Sequence, residues 1–132
     1  MIVKILSSND TGDTGGHQGG ILVPKKSELL DFFPELNRST KNPRTVITLR
    51  DEHDNAWSFN FIYYNNKFFG GTRNEFRLTG MTKYIRSNVL KAGDEIHFSK
   101  DQSGYRINNK QNNFTDGPIK LTGSWITVKT KI

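Results

Sequence analysis

The chain has 132 residues, with 19 Lys and Arg against 13 Asp and Glu, and no cysteine. This length can bury one core, so we expect a single domain over residues 1–132. The lack of cysteine excludes disulfides, and the lack of a long apolar run argues against a membrane span, which predicts a cytoplasmic protein without a membrane partner. The net charge of +6 favours an anionic partner, of which nucleic acid is the commonest.

Short apolar runs and stretches of alternating apolar and polar residues recur along the chain, a pattern typical of β-strands. In chain order, the pattern is found at residues 2–6, 21–23, 45–50, 56–64, 76–79, 95–99, 105–108 and 121–129. Two short helices are expected, one after Ser27 that ends at Pro34, and one at Lys83–Leu90. We predict a mainly β fold, an open barrel of seven or so short strands with two short helices.

Residues 7–20, SSNDTGDTGGHQGG, lack any apolar face and are rich in glycine. Such a composition is typical of a loop, and a domain linker has a similar one. A short strand pattern precedes the segment, so we interpret it as a loop between two strands. His17 and Gln18 close this loop and either contact bases in a DNA groove or are incidental polar groups of a solvated hairpin.

The sequence has no familiar catalytic or metal-binding pattern. No acidic residue stands two positions before a Lys, the three histidines are far apart, and no phosphate-binding loop of the G-x-x-x-x-G-K type is found. We therefore expect neither an enzyme nor a metal or other cofactor in these residues. A dispersed active site stays open, because catalytic residues need no fixed spacing in sequence.

A second polar segment, KFFGGTRNEFRLT at residues 67–79, is dense in side chains that hydrogen-bond to bases. Arg pairs with guanine, Asn with adenine, and Glu accepts from the cytosine amino group. If Arg73, Glu75 and Arg77 alternate along a strand, they share one face. They then form either a salt-bridged surface ladder or a group that reads bases.

Three strings carry a resemblance to known DNA-binding domains. SSNDTGDTGGHQGGILVPK and IYYNNKFFGGTRNEFRLT resemble the N-terminal effector domain of EcoRII-type restriction endonucleases. LTGMTKYIRSNVLKAGDEIHFSK resembles the closing part of the plant B-three transcription-factor domain. The resemblance implies an open, seven-stranded DNA-binding pseudobarrel from a prokaryotic restriction system, with the nuclease domain elsewhere in a longer chain or on another polypeptide.

The resemblance also implies how double-stranded DNA is bound: two arms, residues 11–18 and 70–77, enter the major groove and read a site such as CC(A/T)GG. The base-reading residues are expected to be His17, Gln18, Arg73, Asn74, Glu75 and Arg77. Residues that contact the DNA backbone or support an arm are expected to be Lys4, Asn9, Asp10, Thr14, Lys25, Lys67 and Thr72. A regulator without a nuclease, a nuclease in its own right, and a protein-binding barrel stay open as alternatives.

Overall fold

The computed structural model describes residues 1–12, 20–112 and 122–128. Within them, eight strands form one sheet in the order β2-β5-β4-β3-β7-β6-β1-β8, in which every neighbouring pair is antiparallel except β3 and β7. The strands are Ile2–Ile5 (β1), Ile21–Val23 (β2), Arg44–Arg50 (β3), Ala56–Tyr64 (β4), Glu75–Thr79 (β5), Glu95–Asp101 (β6), Gly104–Lys110 (β7) and Trp125–Thr127 (β8). The mainly β prediction is confirmed, with eight strands in the described residues where seven were expected.

The helices are shorter and more numerous than predicted. The described residues contain α1 (Ser8–Thr11), α2 (Ser27–Leu30), a 3-10 helix (Asn66–Phe69) and α3 (Thr82–Ser87), where two helices were expected. None of these helices is long and apolar enough to cross a membrane.

The prediction that residues 7–20 are entirely loop was wrong at their start. Ser7 Oγ accepts a hydrogen bond from the Asp10 backbone N–H, and the Asp10 carboxylate accepts one from the Ser7 N–H. This reciprocal capping box satisfies two donors at the start of α1. Gly12, in the left-handed conformation at φ 83°, ends the helix after one turn.

The sheet curls until its two edge strands meet. Trp125 on β8 donates a hydrogen bond from its indole Nε1 to the carbonyl oxygen of Leu22 on β2, at 2.9 Å. The Trp125 ring also stacks on Phe98, with centroids 5.7 Å apart. The Trp125 side chain therefore joins the seam of the open barrel, where β2 and β8 meet, to the core.

Four aromatic rings stack through the core beneath β5. Phe33 stacks on Phe61 at 4.4 Å, Phe61 on Phe76 at 5.6 Å, and Phe76 on Tyr63 at 4.2 Å between centroids. Aromatic contacts of this kind add to the stability gained from buried area. Phe76 lies between Glu75 and Arg77, so its burial turns those two charged side chains to the opposite face of the strand.

Removing the indole bond at the seam should loosen its two edge strands. We expect Trp125→Phe to lower the free energy of unfolding by about 0.5–1.5 kcal/mol from the lost neutral hydrogen bond, with a further loss from the smaller ring that stacks on Phe98. Compared with the unmodified protein, Trp125→Phe should speed native-state hydrogen exchange in β2 and β8 more than in central β4. Trp57→Phe, which removes an indole bond to Asp51 near the β3–β4 turn, is the matched control. Equal exchange in β2 for both variants would contradict the role of Trp125 at the seam.

Candidate nucleic-acid interface

Asn66 holds the turn between β4 and β5 through both its side chain and its backbone. Its side-chain Oδ1 accepts from the Arg73 backbone N–H at 2.6 Å, and its backbone carbonyl oxygen accepts from the Gly71 N–H at 2.7 Å. A Cβ on Gly71 would lie 2.8 Å from the Asn66 side chain, so this close approach requires glycine. Gly70 supplies the left-handed conformation, φ 89°, that ends the preceding 3-10 helix. The turn thereby fixes the backbone position from which the Arg73 side chain extends.

Three alternating side chains form a charged ladder: Arg73, Glu75 and Arg77. The Arg73 Nε donates to Glu75 Oε1 at 3.0 Å, and the Arg77 Nε donates to Glu75 Oε2 at 3.1 Å. All three are partly exposed, with side-chain exposures of 42%, 26% and 24% in that order. The structure thus brings together three residues that were expected to share one face of a strand.

Both ends of the charged ladder are held by further contacts. The Arg73 guanidinium lies 3.8 Å from the centroid of the Tyr64 ring, on neighbouring β4. The Arg77 Nη1 donates to the Gly20 carbonyl oxygen at 2.9 Å, immediately before β2. These contacts reduce the side-chain entropy that would be lost on binding a ligand. The ladder is therefore preorganised before any partner arrives.

Glu75 is kept ionised by its two neighbours. Partial burial raises the pKa of Glu75, but the hydrogen bonds and positive charges of Arg73 and Arg77 outweigh burial and hold it below its ordinary value. At a pH above the ordinary glutamate pKa, the pairing of Glu75 therefore stabilises the folded state. This stabilisation is lost as the pH falls through the lowered pKa of Glu75. Near neutral pH, the ladder presents a negative acceptor between two cations.

The ladder geometry suits hydrogen bonding to base edges. Each arginine bonds Glu75 through Nε, and Arg77 also gives an Nη1 hydrogen to the Gly20 carbonyl oxygen, so both guanidinium groups keep further terminal N–H hydrogens as donors. A carboxylate oxygen accepts more than one bond. Two parallel N–H groups match guanine O6 and N7, and a carboxylate matches the cytosine amino group. Glu75 would repel a phosphate that the arginines attract, whereas it can accept from a base amino group placed beside their donors.

Asn74 is placed differently from its neighbours in the ladder. Its Oδ1 accepts from the Tyr63 hydroxyl at 2.6 Å. An adenine contact uses the oxygen and the nitrogen of the amide together, so it would require Asn74 to share or release Tyr63. This geometry gives Asn74 a supporting position between the aromatic stack and the ladder.

Lys4 is buried at the inner face of β1. Its Nζ donates to the Gly123 carbonyl oxygen at 2.7 Å and lies 3.4 Å from the Asp10 carboxylate, and its side chain is 5% exposed. Burial lowers the pKa of Lys4, and attraction to Asp10 offsets only part of this effect. A phosphate contact by Lys4 would require this pair to open. Here Lys4 and Asp10 join β1, α1 and the segment before β8.

The other expected contact residues are divided between the surface and the undescribed part of the chain. Asn9, Lys25, Lys67 and Thr72 are exposed. Lys25 and Thr72 line a groove beside the ladder, between residues 22–25 and 72–75. Thr14, His17 and Gln18 lie outside the described residues. Within residues 1–12, 20–112 and 122–128, no cluster of three or more His, Asp or Glu side chains is arranged to hold a metal ion.

One buried supporting residue, Asn65, was missed by sequence reasoning. Asn65 is 1% exposed, accepts from the Asn42 N–H at 2.6 Å, and donates to the Arg38 and Thr40 carbonyl oxygens. It thus fixes the loop before β3 against the end of β4. Two consecutive asparagines directly after a strong strand pattern were a signal for such a turn, because asparagine bonds nearby backbone groups.

Comparison with known proteins identifies the family. The model of the family "Restriction endonuclease EcoRII, N-terminal" matches residues 1–96. The type II restriction enzyme EcoRII of Escherichia coli is 41% identical over 98% of this chain, and the chain spans 30% of that enzyme. Auxin response factor 11 of Oryza sativa is 32% identical over 75% of this chain and 9% of the factor.

A solved structure shows the same fold. The chain in the Arabidopsis FUS3–DNA complex aligns with a TM-score of 0.63 over 83% of this chain and 94% of that chain, at 21% identity. This likeness shows the fold, and the match to residues 1–96 shows the family. The chain belongs to the family of N-terminal domains of restriction endonuclease EcoRII.

Proposed function

We propose that this domain binds double-stranded DNA and reads a short sequence in the major groove. The charged ladder is the observation that carries the proposal. Arg73 and Arg77 present donors for guanine on either side of Glu75, an acceptor for a cytosine amino group. The three groups are held in place by Tyr64 and by the Gly20 carbonyl, so little ordering is needed on binding.

The proposed site is CC(A/T)GG, read by two arms. A ladder of two arginines and one glutamate suits a sequence made mostly of G·C pairs. The second arm carries His17 and Gln18, which would approach from the opposite side of the groove. Exposed Lys25 and Lys67 would neutralise phosphates, which adds affinity without sequence information.

The relatives support a role in DNA restriction. The match to the EcoRII enzyme covers nearly the whole of this chain but less than a third of that enzyme. We infer that this domain supplies target recognition to a type II restriction endonuclease whose Mg²⁺-dependent cleavage resides in other residues, on the same or another polypeptide. FUS3, which shares the fold, was solved in complex with DNA, and this supports the use of the same fold on DNA here.

A transcription-factor-like regulator is the second candidate, and the 32% identity to Auxin response factor 11 favours it. It would bind DNA by the same geometry without a linked nuclease. The gene that encodes the chain distinguishes the two, because only the restriction enzyme requires a catalytic extension or a neighbouring nuclease gene.

Selection from a random duplex pool tests the proposal directly. We expect the domain to enrich duplexes that contain CC(A/T)GG, and its affinity for them to fall as salt rises, because phosphate contacts release counterions. Fluorescence anisotropy with the enriched duplex and a scrambled one measures both effects. Enrichment of no sequence, with equal affinity for both duplexes, would overturn sequence reading, and the absence of salt-dependent binding would overturn DNA binding.

A further inference from the structure

Gly20 stands immediately before β2 and contacts one end of the charged ladder. Its carbonyl oxygen accepts a hydrogen bond from Arg77 Nη1 at 2.9 Å, while Arg77 Nε donates to Glu75 Oε2 at 3.1 Å. The two bonds leave different nitrogens of one planar guanidinium group, so together they fix both its plane and its rotation. Either bond alone would let the group turn about that bond. The orientation of Arg77 therefore depends on where the backbone places the Gly20 carbonyl.

The position of this carbonyl requires glycine at residue 20. The backbone of Gly20 is left-handed, with φ 88°, a conformation that other residues rarely adopt. A Cβ there would also lie 2.6 Å from Thr79 Cγ2 and 2.8 Å from the Leu78 carbonyl oxygen, which is too close for these atoms to remain in place. The Leu78 oxygen belongs to the backbone of β5 and cannot turn aside. A larger residue must therefore move away from β5 and carry its carbonyl away from Arg77.

The bond to Gly20 orients Arg77 without cancelling its charge. Glu75 carries one negative charge between two arginines, and a backbone carbonyl is a neutral acceptor, so the ladder keeps a net positive charge. A second carboxylate in place of the carbonyl would hold Arg77 as well but would remove that charge and repel DNA. A neutral anchor therefore suits an arginine that still has to donate to an electronegative partner.

We propose that Gly20 is a positioning residue for base reading, whose carbonyl oxygen orients Arg77 toward one guanine and so determines specificity at that base pair. The inference rests on the proposed function, because it requires Arg77 to read a base. The terminal N–H hydrogens of Arg77 that neither bond uses stay available for guanine O6 and N7. Arg73 is oriented by the Tyr64 ring instead, at 3.8 Å, so the base that Arg73 reads should not depend on Gly20.

The test compares affinities for the selected duplex with those for duplexes altered at one base pair each, by fluorescence anisotropy. Arg77→Ala identifies the Arg77 base pair, at which the preference should fall by about fivefold to 150-fold. Gly20→Ala should lower the preference at the same base pair by about twofold to tenfold, as for the loss of one hydrogen bond, and keep it at the base pair identified by Arg73→Ala. Adding Gly20→Ala to Arg77→Ala should cause no further loss at the Arg77 base pair, because Gly20 acts through Arg77.

Gly80→Ala is the matched control. Gly80 follows β5 directly and has the same left-handed backbone, φ 85°, but the nearest atom to a Cβ there would be the Ser58 carbonyl oxygen at 4.0 Å. This variant carries the same backbone strain without a clash and should keep the preference at every base pair. The inference is overturned, while the proposed function stands, if Gly20→Ala keeps the preference at the Arg77 base pair or weakens all duplexes alike, or if Arg77→Ala lowers the preference at no base pair. If no duplex is selected at all, both are overturned.

Nuclear magnetic resonance of the unmodified, DNA-free protein tests the anchor directly, and it decides the matter if circular dichroism shows that Gly20→Ala does not fold. Because Nη1 is bonded to the Gly20 carbonyl, the Arg77 guanidinium should rotate slowly and give separate Nη1 and Nη2 signals. The exposed Arg86 side chain should give one averaged signal. Arg77→Lys assigns the Arg77 signals by their disappearance, and a single averaged Nη signal for Arg77 would overturn the inference.

Discussion

Replacing Glu75 by Gln is expected to weaken binding to the selected duplex by about 1–3 kcal/mol and to leave binding to a scrambled duplex unchanged or tighter. The substitution replaces one of the two carboxylate oxygens by an amide donor and removes the negative charge, so a single acceptor is left for the two arginines and a cytosine amino group. A guanidinium group released from Glu75 can then bond phosphates of any sequence, and one negative charge near the DNA is gone. Anisotropy titrations with both duplexes, at several salt concentrations, measure the two effects separately.

Glu28→Gln is the matched control for this substitution. Glu28 is an exposed residue of α2 and lies outside the charged ladder, so the same change in net charge is made without touching the base-reading geometry. It is expected to keep the preference for the selected duplex. Equal changes on the two duplexes for Glu75→Gln would show that Glu75 acts only through net charge and would contradict its base-reading role.

The strands were predictable because their signals are local. AWSFNFIYY predicts β4 with its observed bounds, Ala56–Tyr64, because inward and outward residues alternate along it. The helices were less accurate. The apolar run after Ser27 predicts a helix longer than the observed Ser27–Leu30. The prediction fails because Phe32 and Phe33 pack into the core from the turn that follows α2. The helix at Ser8–Thr11 was missed, although Ser7 and Asp10 have the spacing of a capping box.

The candidate site was predictable only in part. Alternation placed Glu75 and Arg77 on one face, and the structure brings both to Arg73. The Tyr64 ring under Arg73 and the Trp125 bond to Leu22 depend on strand order, and no local pattern encodes which strands become neighbours. Lys4 illustrates the same limit, because its burial beside Asp10 arises from the meeting of β1 and α1.

Arg73→Ala is expected to weaken binding to the selected duplex by about 1–3 kcal/mol and to have a much smaller effect on a scrambled duplex. Arg73 is held by Glu75 at 3.0 Å and by the Tyr64 ring at 3.8 Å, so its guanidinium group is kept in one orientation. A donor pair fixed in this way favours a guanine in one position and gains little from a mispositioned base or a phosphate. Anisotropy titrations with the two duplexes give the difference directly.

Lys25→Ala separates this geometric effect from charge, because Lys25 lines the same groove and carries the same charge as Arg73. Lys25 is exposed, and its ammonium group acts as a flexible point charge. Its loss should weaken both duplexes alike and reduce the salt slope by about one unit. If Arg73→Ala also weakens both duplexes alike, Arg73 binds only phosphate. If the preference for the selected duplex is lost in Arg73→Ala but kept in Lys25→Ala, sequence reading requires the guanidinium group of Arg73 fixed against base edges.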